Sequence, residues 1–374
     1  MSERKWWGWG APGRRSALGP SAVGMLRERL GEAEPSPPVS LDEVSLPAPA
    51  AVPESVVRAV GADSVLAGDE ARLRHAAGMS YPDLVRLRSG RIETAPDAVV
   101  IPRDREQVAA VLAACAGDGV AVVPFGGGTS VVGGVDPIRG RFERLVALDL
   151  ARLRPVSVDR RSLTARLGAG LAGPAAEHAL GERGVTLGHF PQSFEYATIG
   201  GFAATRSAGQ ASSGFGRFDD LVTAVRLVAP SGELSTPEVR HSAAGPALRE
   251  LVLGSEGILG VITEVVAAVR PVPEERRYEA WIAPGFDAGA EIVRGLVQAG
   301  SVPDVVRLSD REETRVSLGL AGPRGLAARA LGSYLRARRR SDGCMLVVGW
   351  EGEREAVRRR RALAARALRA GGAV

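Results

Sequence analysis

The chain has 374 residues, 45% of them hydrophobic and 24% charged, with a formal net charge of +5. That length exceeds what one small core requires and predicts a globular protein of two or three domains. No stretch approaches the roughly 18 apolar residues of a membrane span. The N-terminus is charged and then rich in tryptophan (Trp6, Trp7, Trp9), without the apolar core of a secretory signal. A cytoplasmic location is therefore expected. Cys115 and Cys344 cannot build a disulfide framework, and with four scattered histidines (His75, His178, His189, His241) they give no metal-ligand spacing, so no metal is expected. The basic balance does not point to nucleic acid. Of 48 Lys and Arg residues Lys5 is the one lysine, which leaves 47 arginines, spread among abundant Ala and Gly with no nucleic-acid-binding motif.

Residues 1–93 do not read as a compact domain. They open on Trp6-Trp7-Gly8-Trp9-Gly10 and pass through a proline-rich stretch, residues 34–53, that must be extended or turning. Helices are expected around residues 21–30 and 53–60. Aromatics this closely spaced predict an arm that packs on a neighbouring domain.

The pattern changes at Thr94. Residues 98–102 form a short apolar run ending in proline, which predicts a strand. Residues 103–117 then show helical spacing, with Val108, Val111, Leu112 and Cys115 on one side and Gly117 and Gly119 as the stop. Residues 120–125 read as a buried strand running directly into Gly126-Gly127-Gly128-Thr129-Ser130, so the whole is a βαβ unit ending in a glycine turn. Further strands are predicted at 145–149, 157–159, 164–167, 221–228 and 260–269, with a helix at 174–183. Beyond Glu275 come strands at 278–283 and 345–351 and helices at 287–298, 326–340 and 353–368. These elements predict an α+β fold without internal repeats.

Three segments carry chemistry. In Pro124-Phe125-Gly126-Gly127-Gly128-Thr129-Ser130, consecutive glycines allow main-chain N–H groups to converge on an anion, and the two hydroxyls add donors. A lone triple glycine is equally readable as a flexible turn. The second segment runs from Pro191, Gln192 and Ser193 through Glu195, Thr198, Gly200, Gly201 and Thr205 to Gly209. It is long, small and hydroxylic, a surface along which a flat ligand could lie, or else a loop of ordinary turn chemistry. The third, Gly254-Ser255-Glu256-Gly257-Ile258-Leu259-Gly260-Val261-Ile262-Thr263, is a tight turn before a β-branched strand.

In this order the three segments resemble the FAD-binding domain of the vanillyl-alcohol-oxidase, or PCMH-type, flavoproteins. The tryptophan-glycine opening, residues 124–130, 193–201 with Thr205-Arg206, and residues 256–263 followed by Arg270-Pro271-Val272-Pro273 resemble its alkyldihydroxyacetonephosphate synthase branch. The resemblance implies a two-subdomain FAD domain over residues 94–273 and a partial cap, or substrate, domain over 274–374. It implies that Gly126, Gly127, Gly128, Thr129 and Ser130, entered from Pro124 and Phe125, cradle the pyrophosphate. Gln192, Ser193, Glu195, Thr198, Gly200, Gly201, Thr205, Gly209 and Gly214 would line the ribityl chain and isoalloxazine. Glu256, Gly257, Gly260 and Ile262 would hold the adenosine side or the flavin edge. Covalent members carry a histidine in the first glycine loop; Thr129 stands there instead, so non-covalent, dissociable FAD is expected. Arg307, in Pro303-Asp304-Val305-Val306-Arg307-Leu308, resembles an active-site arginine of the branch, with a surface arginine on an edge strand as the alternative reading.

The same resemblance places the branch's catalytic tyrosine, phosphate-binding arginine and histidine cluster beyond Val374, so the chain is expected to be C-terminally incomplete, or a degenerate flavoprotein. Its cap sheet would then keep uncovered edges and require another chain for solubility. The implied activity is exchange of the acyl chain of acyl-dihydroxyacetone phosphate for a fatty alcohol. The alternatives are oxidation of a 2-hydroxy acid or other alcohol on the same fold, and a flavin-binding module without activity. Expected partners are a small-molecule or lipid substrate, a second copy of the chain, and a membrane surface met peripherally by the basic amphipathic segment 326–340.

Overall fold

The computed structural model describes residues 4–13, 18–32, 34, 36–321 and 325–374. They form two compact units. The described residues of Met1–Arg14, Ser36–Ala208 and Arg217–Arg270 make the first; those of Arg15–Pro35, Gly209–Gly216 and Pro271–Val374 make the second.

The first unit is built on two main sheets. Helix α1 (Glu54–Val60) and the short strand β1 (Val65–Leu66) are followed by helices α2 (Asp69–Arg74) and α3 (Tyr81–Ser89). Then come β2 (Ala98–Val100), α4 (Arg105–Gly117), β3 (Val120–Phe125) and β4 (Arg144–Asp149). The strand order is β1-β2-β4-β3, with β2 and β3 both parallel to β4 and β1 antiparallel at the edge. The predicted βαβ unit is thus a split one, because β4 inserts between its two strands. Helix α4 forms where expected. The Asp104 carboxylate accepts the Gln107 N–H at 2.8 Å as an N-cap, and Val108, Val111, Leu112 and Cys115 are buried against the sheet. Parallel strands hidden on both faces explain the near-continuous Val, Leu and Ala content of β2 and β4.

The second sheet is antiparallel, in the order β5-β6-β9-β7-β8. Its strands are β5 (Val156–Asp159), β6 (Thr164–Gly168), β7 (Val222–Ala229), β8 (Gly232–Ser235) and β9 (Val261–Ala268). Helices α5 (Gly173–Gly181) and α6 (Ile199–Ala204) cover one face, where Leu167, Leu180, Ile199, Phe202, Val225 and Val265 make the core. Part of the segment read as a loop from sequence is therefore helical. Thr198 caps α6, its hydroxyl accepting the Gly201 N–H at 3.3 Å, and Ile199, Phe202 and Ala203 bury one face; the glycine pair between them hides that period in the sequence.

Residues outside the two main sheets are tied in by an apolar cluster and a buried carboxylate. Leu73, Ala77 and Leu87 form a small cluster with Trp6, Val44 and Leu46. Asp97 is 1% exposed and accepts the amides of Ala50 (2.7 Å) and Leu145 (2.8 Å) and both terminal nitrogens of Arg139 (2.7 Å each).

The second unit has a three-stranded antiparallel sheet, β10-β12-β11, built from β10 (Glu275–Ala283), β11 (Val305–Leu308) and β12 (Cys344–Gly352). Helices α7 (Phe286–Gln298) and α10 (Arg354–Ala370) pack on it through Trp281, Ile292, Leu296, Leu346, Val348, Trp350 and Leu368. Helices α8 (Arg311–Ala321) and α9 (Leu326–Ala337) connect β11 to β12, and helix Pro20–Leu30 belongs to this unit. Asp304, 3% exposed, ties the sheet together by accepting the Glu351 N–H (2.7 Å) and Arg360 (2.8 Å).

Burial alone would push the Asp97 carboxyl up, but the Arg139 guanidinium and the two amides hold it below the usual carboxylate range. Arg139→Leu leaves that carboxylate buried without its countercharge. We expect a loss of about 3 kcal/mol, read as a lower urea midpoint with unchanged slope.

Candidate functional site

At the carboxyl end of β3 the chain turns through Gly126–Ser130, the position at which parallel strands present ligand-binding loops. The turn is held from behind. Leu150 N–H donates to Phe125 C=O (3.0 Å), and Met79 N–H donates to Ser130 C=O (2.7 Å). The Phe125 ring packs at a tilt against His75, centroids 4.2 Å apart, and the His75 Nδ1 and Nε2 reach Ala71 C=O (2.7 Å) and the Asp149 carboxylate (3.2 Å).

The other two segments close on this turn. A Cβ at Gly127 would overlap the carbonyl of Tyr196, and one at Gly126 would overlap the Thr198 hydroxyl. The third turn hangs from the end of α6, Gly254 N–H donating to Ala203 C=O and Glu256 N–H to Ala204 C=O, each at 3.0 Å. There Glu256 (φ +48°) and Gly257 (φ +87°) adopt left-handed backbone, and a Cβ on Gly257 would lie 3.2 Å from Pro124 Cγ. Arg206 rivets the same region, donating to Leu253 C=O (3.0 Å), Glu250 C=O (2.8 Å) and the buried Asp219 carboxylate (2.9 Å).

Between the three turns lies a cleft of about 370 Å³. Sixteen of the twenty residues expected from sequence to hold a cofactor line it: Pro124, Phe125, Gly126, Gly127, Gly128, Thr129, Ser130, Ser193, Thr198, Gly200, Gly201, Thr205, Glu256, Gly257, Gly260 and Ile262. Four do not. Gln192 and Glu195 are exposed on the turn before α6, where Tyr196 and Ala197 take the inward positions. Gly209 and Gly214 belong to the second unit. Gly214 donates its N–H to Asp304 C=O (3.1 Å), and a Cβ there would overlap Asp304, so this glycine serves a close backbone contact. Arg307 projects from β11, 63% exposed, with its guanidinium on Glu313.

Leu150, outside the three segments, also lines the cleft, as do Ala197, Phe202, Ala204 and Ser207 of the second segment, none of them singled out from sequence. Ser207 is held by His189, whose Nε2 lies 3.1 Å from the Ser207 hydroxyl. That ring is 2% exposed and packs between Phe202 (5.1 Å) and Phe218 (5.2 Å); burial pulls it down to about 4, against a small opposing effect of Asp219. A lone histidine among apolar residues gave no signal for this. The lining offers main-chain groups, hydroxyls and apolar walls, with neither histidine nor cysteine among the described residues, and Glu256 as its one formal charge.

Residues 96–236 match the family described as FAD binding domain, and residues 272–374 match the FAD linked oxidases, C-terminal domain. The chain is a PCMH-type FAD flavoprotein. FAD is its cofactor, and a glycine cradle that side chains would fill, flanked by hydroxyls, fits that dinucleotide. The flavoprotein is 32% identical over 359 residues to alkyldihydroxyacetonephosphate synthase of Dictyostelium discoideum, covering 90% of this chain and 58% of that one. A solved alkyldihydroxyacetonephosphate synthase structure matches 99% of the flavoprotein and 74% of its own chain at 30% identity, with a TM-score of 0.89. A glycolate oxidase subunit, GlcD of Bacillus subtilis, is 28% identical over 221 residues, or 59% of this chain and 46% of that one. The flavoprotein thus spans little more than half the length of the Dictyostelium relative.

Gly127→Ala must displace either the glycine turn or the Tyr196 carbonyl. FAD affinity should fall at least about a hundredfold, or some 3 kcal/mol, measured by quenching of flavin fluorescence. For His189, the ordinary value of 6.5 lies above the folded value of about 4, so the unfolded chain takes up the extra proton first. Its stabilising contribution is complete above pH 6.5 and is lost as pH falls toward 4. Urea midpoints should drop across that window in the parent protein and drop less in His189→Asn.

Proposed function

We propose that the flavoprotein takes part in ether-lipid chemistry of the alkyldihydroxyacetonephosphate synthase type, in which a fatty alcohol replaces the acyl chain of acyl-dihydroxyacetone phosphate. The observation carrying this reading is its likeness to the synthases over nearly its whole length. Bound FAD supplies an electron-accepting ring system. The protein's part is to bind and orient. The amides of Gly126–Ser130 with the Thr129 and Ser130 hydroxyls would take the pyrophosphate, while the Ser193, Thr198, Thr205 and Ser207 hydroxyls offer further donors along the cleft. Phe202, Ala204 and Ile262 supply apolar wall that excludes water. With neither histidine nor cysteine lining the cleft among the described residues, FAD would be held non-covalently.

Arg307 is our candidate for the substrate's phosphate. It stands exposed on β11, and a guanidinium can exchange its Glu313 partner for a phosphate ester. For the fatty chain's source we propose a lipid surface met by α9, which exposes Leu326 and Tyr334 beside Arg329, Arg336, Arg338 and Arg339. Among the described residues no helix is long and apolar enough to cross a membrane. Oxidation of a 2-hydroxy acid is the second reading, favoured by the likeness to the glycolate oxidase subunit.

The test is to load the protein with FAD and supply acyl-dihydroxyacetone phosphate with an isotope-labelled fatty alcohol. We expect labelled alkyl-dihydroxyacetone phosphate and free fatty acid by mass spectrometry, and little of either from Arg307→Gln. Anaerobic flavin bleaching by glycolate or lactate, with no exchange product, would overturn the synthase reading in favour of the second.

A further inference from the structure

FAD carries two negative charges on its pyrophosphate, yet the cleft that receives it is lined by one formal charge, the carboxylate of Glu256. Main-chain amides supply partial charge only. A cation able to complement that charge would stand outside the lining, and the N-terminal segment brings one to the glycine turn. Arg4 Nη1 donates to Gly128 C=O at 3.2 Å, and its guanidinium lies 5.9 Å from the centre of the Tyr196 ring. Tyr196 is the residue whose carbonyl abuts Gly127, so Arg4 bonds the carbonyl next to that close contact and lies over the ring of its other partner.

Arg4 is fixed by its own segment. Arg74 donates to Arg4 C=O (2.7 Å), Lys5 N–H donates to Gly10 C=O (3.0 Å), and Trp9 packs at 6.2 Å on Tyr196. Trp6 adds contacts to Leu73, Ala77 and Leu87. Among the described residues no carboxylate lies within ion-pair distance of the Arg4 guanidinium. Burial pulls it down to about 10, and the neighbouring Arg74 adds to the drop while Tyr196 opposes it. In the cofactor-free chain this is a cation held at a cost.

We propose that Arg4 is a cofactor-binding residue, the countercharge for the FAD pyrophosphate acting from behind the glycine turn. Two effects combine. Its positive charge attracts the diphosphate across a turn without charged side chains. Its hydrogen bond also fixes the Gly128–Thr129 peptide: carbonyl and amide of a trans peptide point to opposite sides, so a carbonyl turned to Arg4 turns the Thr129 N–H away from it and into the cleft. Arg4 lies outside residues 96–236, so this contribution comes from beyond the segment that matches the FAD-binding family.

The inference rests on the cleft being the FAD site, and the experiment separates the two. FAD affinity of the full chain is measured by flavin fluorescence for the parent, Arg4→Gln and Arg4→Lys, with apoprotein melting temperatures alongside. Gln keeps a donor for Gly128 and loses the charge; Lys keeps the charge. We expect Arg4→Gln to weaken FAD about tenfold and Arg4→Lys to stay within about threefold of the parent. The Arg4→Gln apoprotein should melt no lower than the parent, since a desolvated cation has been removed. Parent-like FAD binding by Arg4→Gln, or equal losses in the two variants, would overturn the proposal. Failure of the parent itself to bind FAD would instead sink the assignment of the cleft.

Discussion

The carbonyl of Tyr196 lies against Gly127 with no room for a side chain between them, and the cofactor cleft depends on that contact. It joins the parallel sheet, which delivers the glycine turn from β3, to the antiparallel sheet, whose helix α6 begins two residues after Ala197. Thr198 serves both partners: its hydroxyl caps α6 and faces Gly126. The third turn follows from the second, because its amides hang on the last carbonyls of α6. Displacing one turn therefore displaces all three, and the hydrogen-bonding surface offered to a dinucleotide is a cooperative property of two sheets.

The chemistry of this surface is that of main-chain groups. Small residues let the backbone approach a ligand closely, and amides fixed by tertiary structure need no reorganisation when charge arrives. Such a site binds anions without exposed basic side chains, which leaves the surrounding wall free to be apolar. Arginines also hold the scaffold, as where the half-exposed Arg139 and Arg360 neutralise the buried carboxylates of Asp97 and Asp304.

Much of this was legible in the sequence because the information was local. The strand before Gly126 and the apolar spacing of α4 announce themselves over a few residues, and the three glycine-rich segments gave sixteen of the cleft residues. What was missed lies in long-range packing. Helix α6 was hidden by Gly200 and Gly201; the small size of Gly200 is required by contact with Ala169 and not by a loop. Gly214 looked like its neighbours in composition, yet its lack of a side chain answers to Asp304. Gln192 and Glu195 sit among site residues in sequence but face outward, an alternation that only the turn's geometry decides.

The back of the glycine turn is made from distant parts of the chain: His75 meets Asp149 and Met79 meets Ser130. Such contacts close loops of high sequence separation, which carry their entropic cost before any packing rewards it. The nucleotide-binding turn should accordingly mature late in folding, after both sheets exist. A chain that has reached this point can be trapped by its cofactor through mass action, so flavin supply would govern how much of the newly made protein survives in its native form.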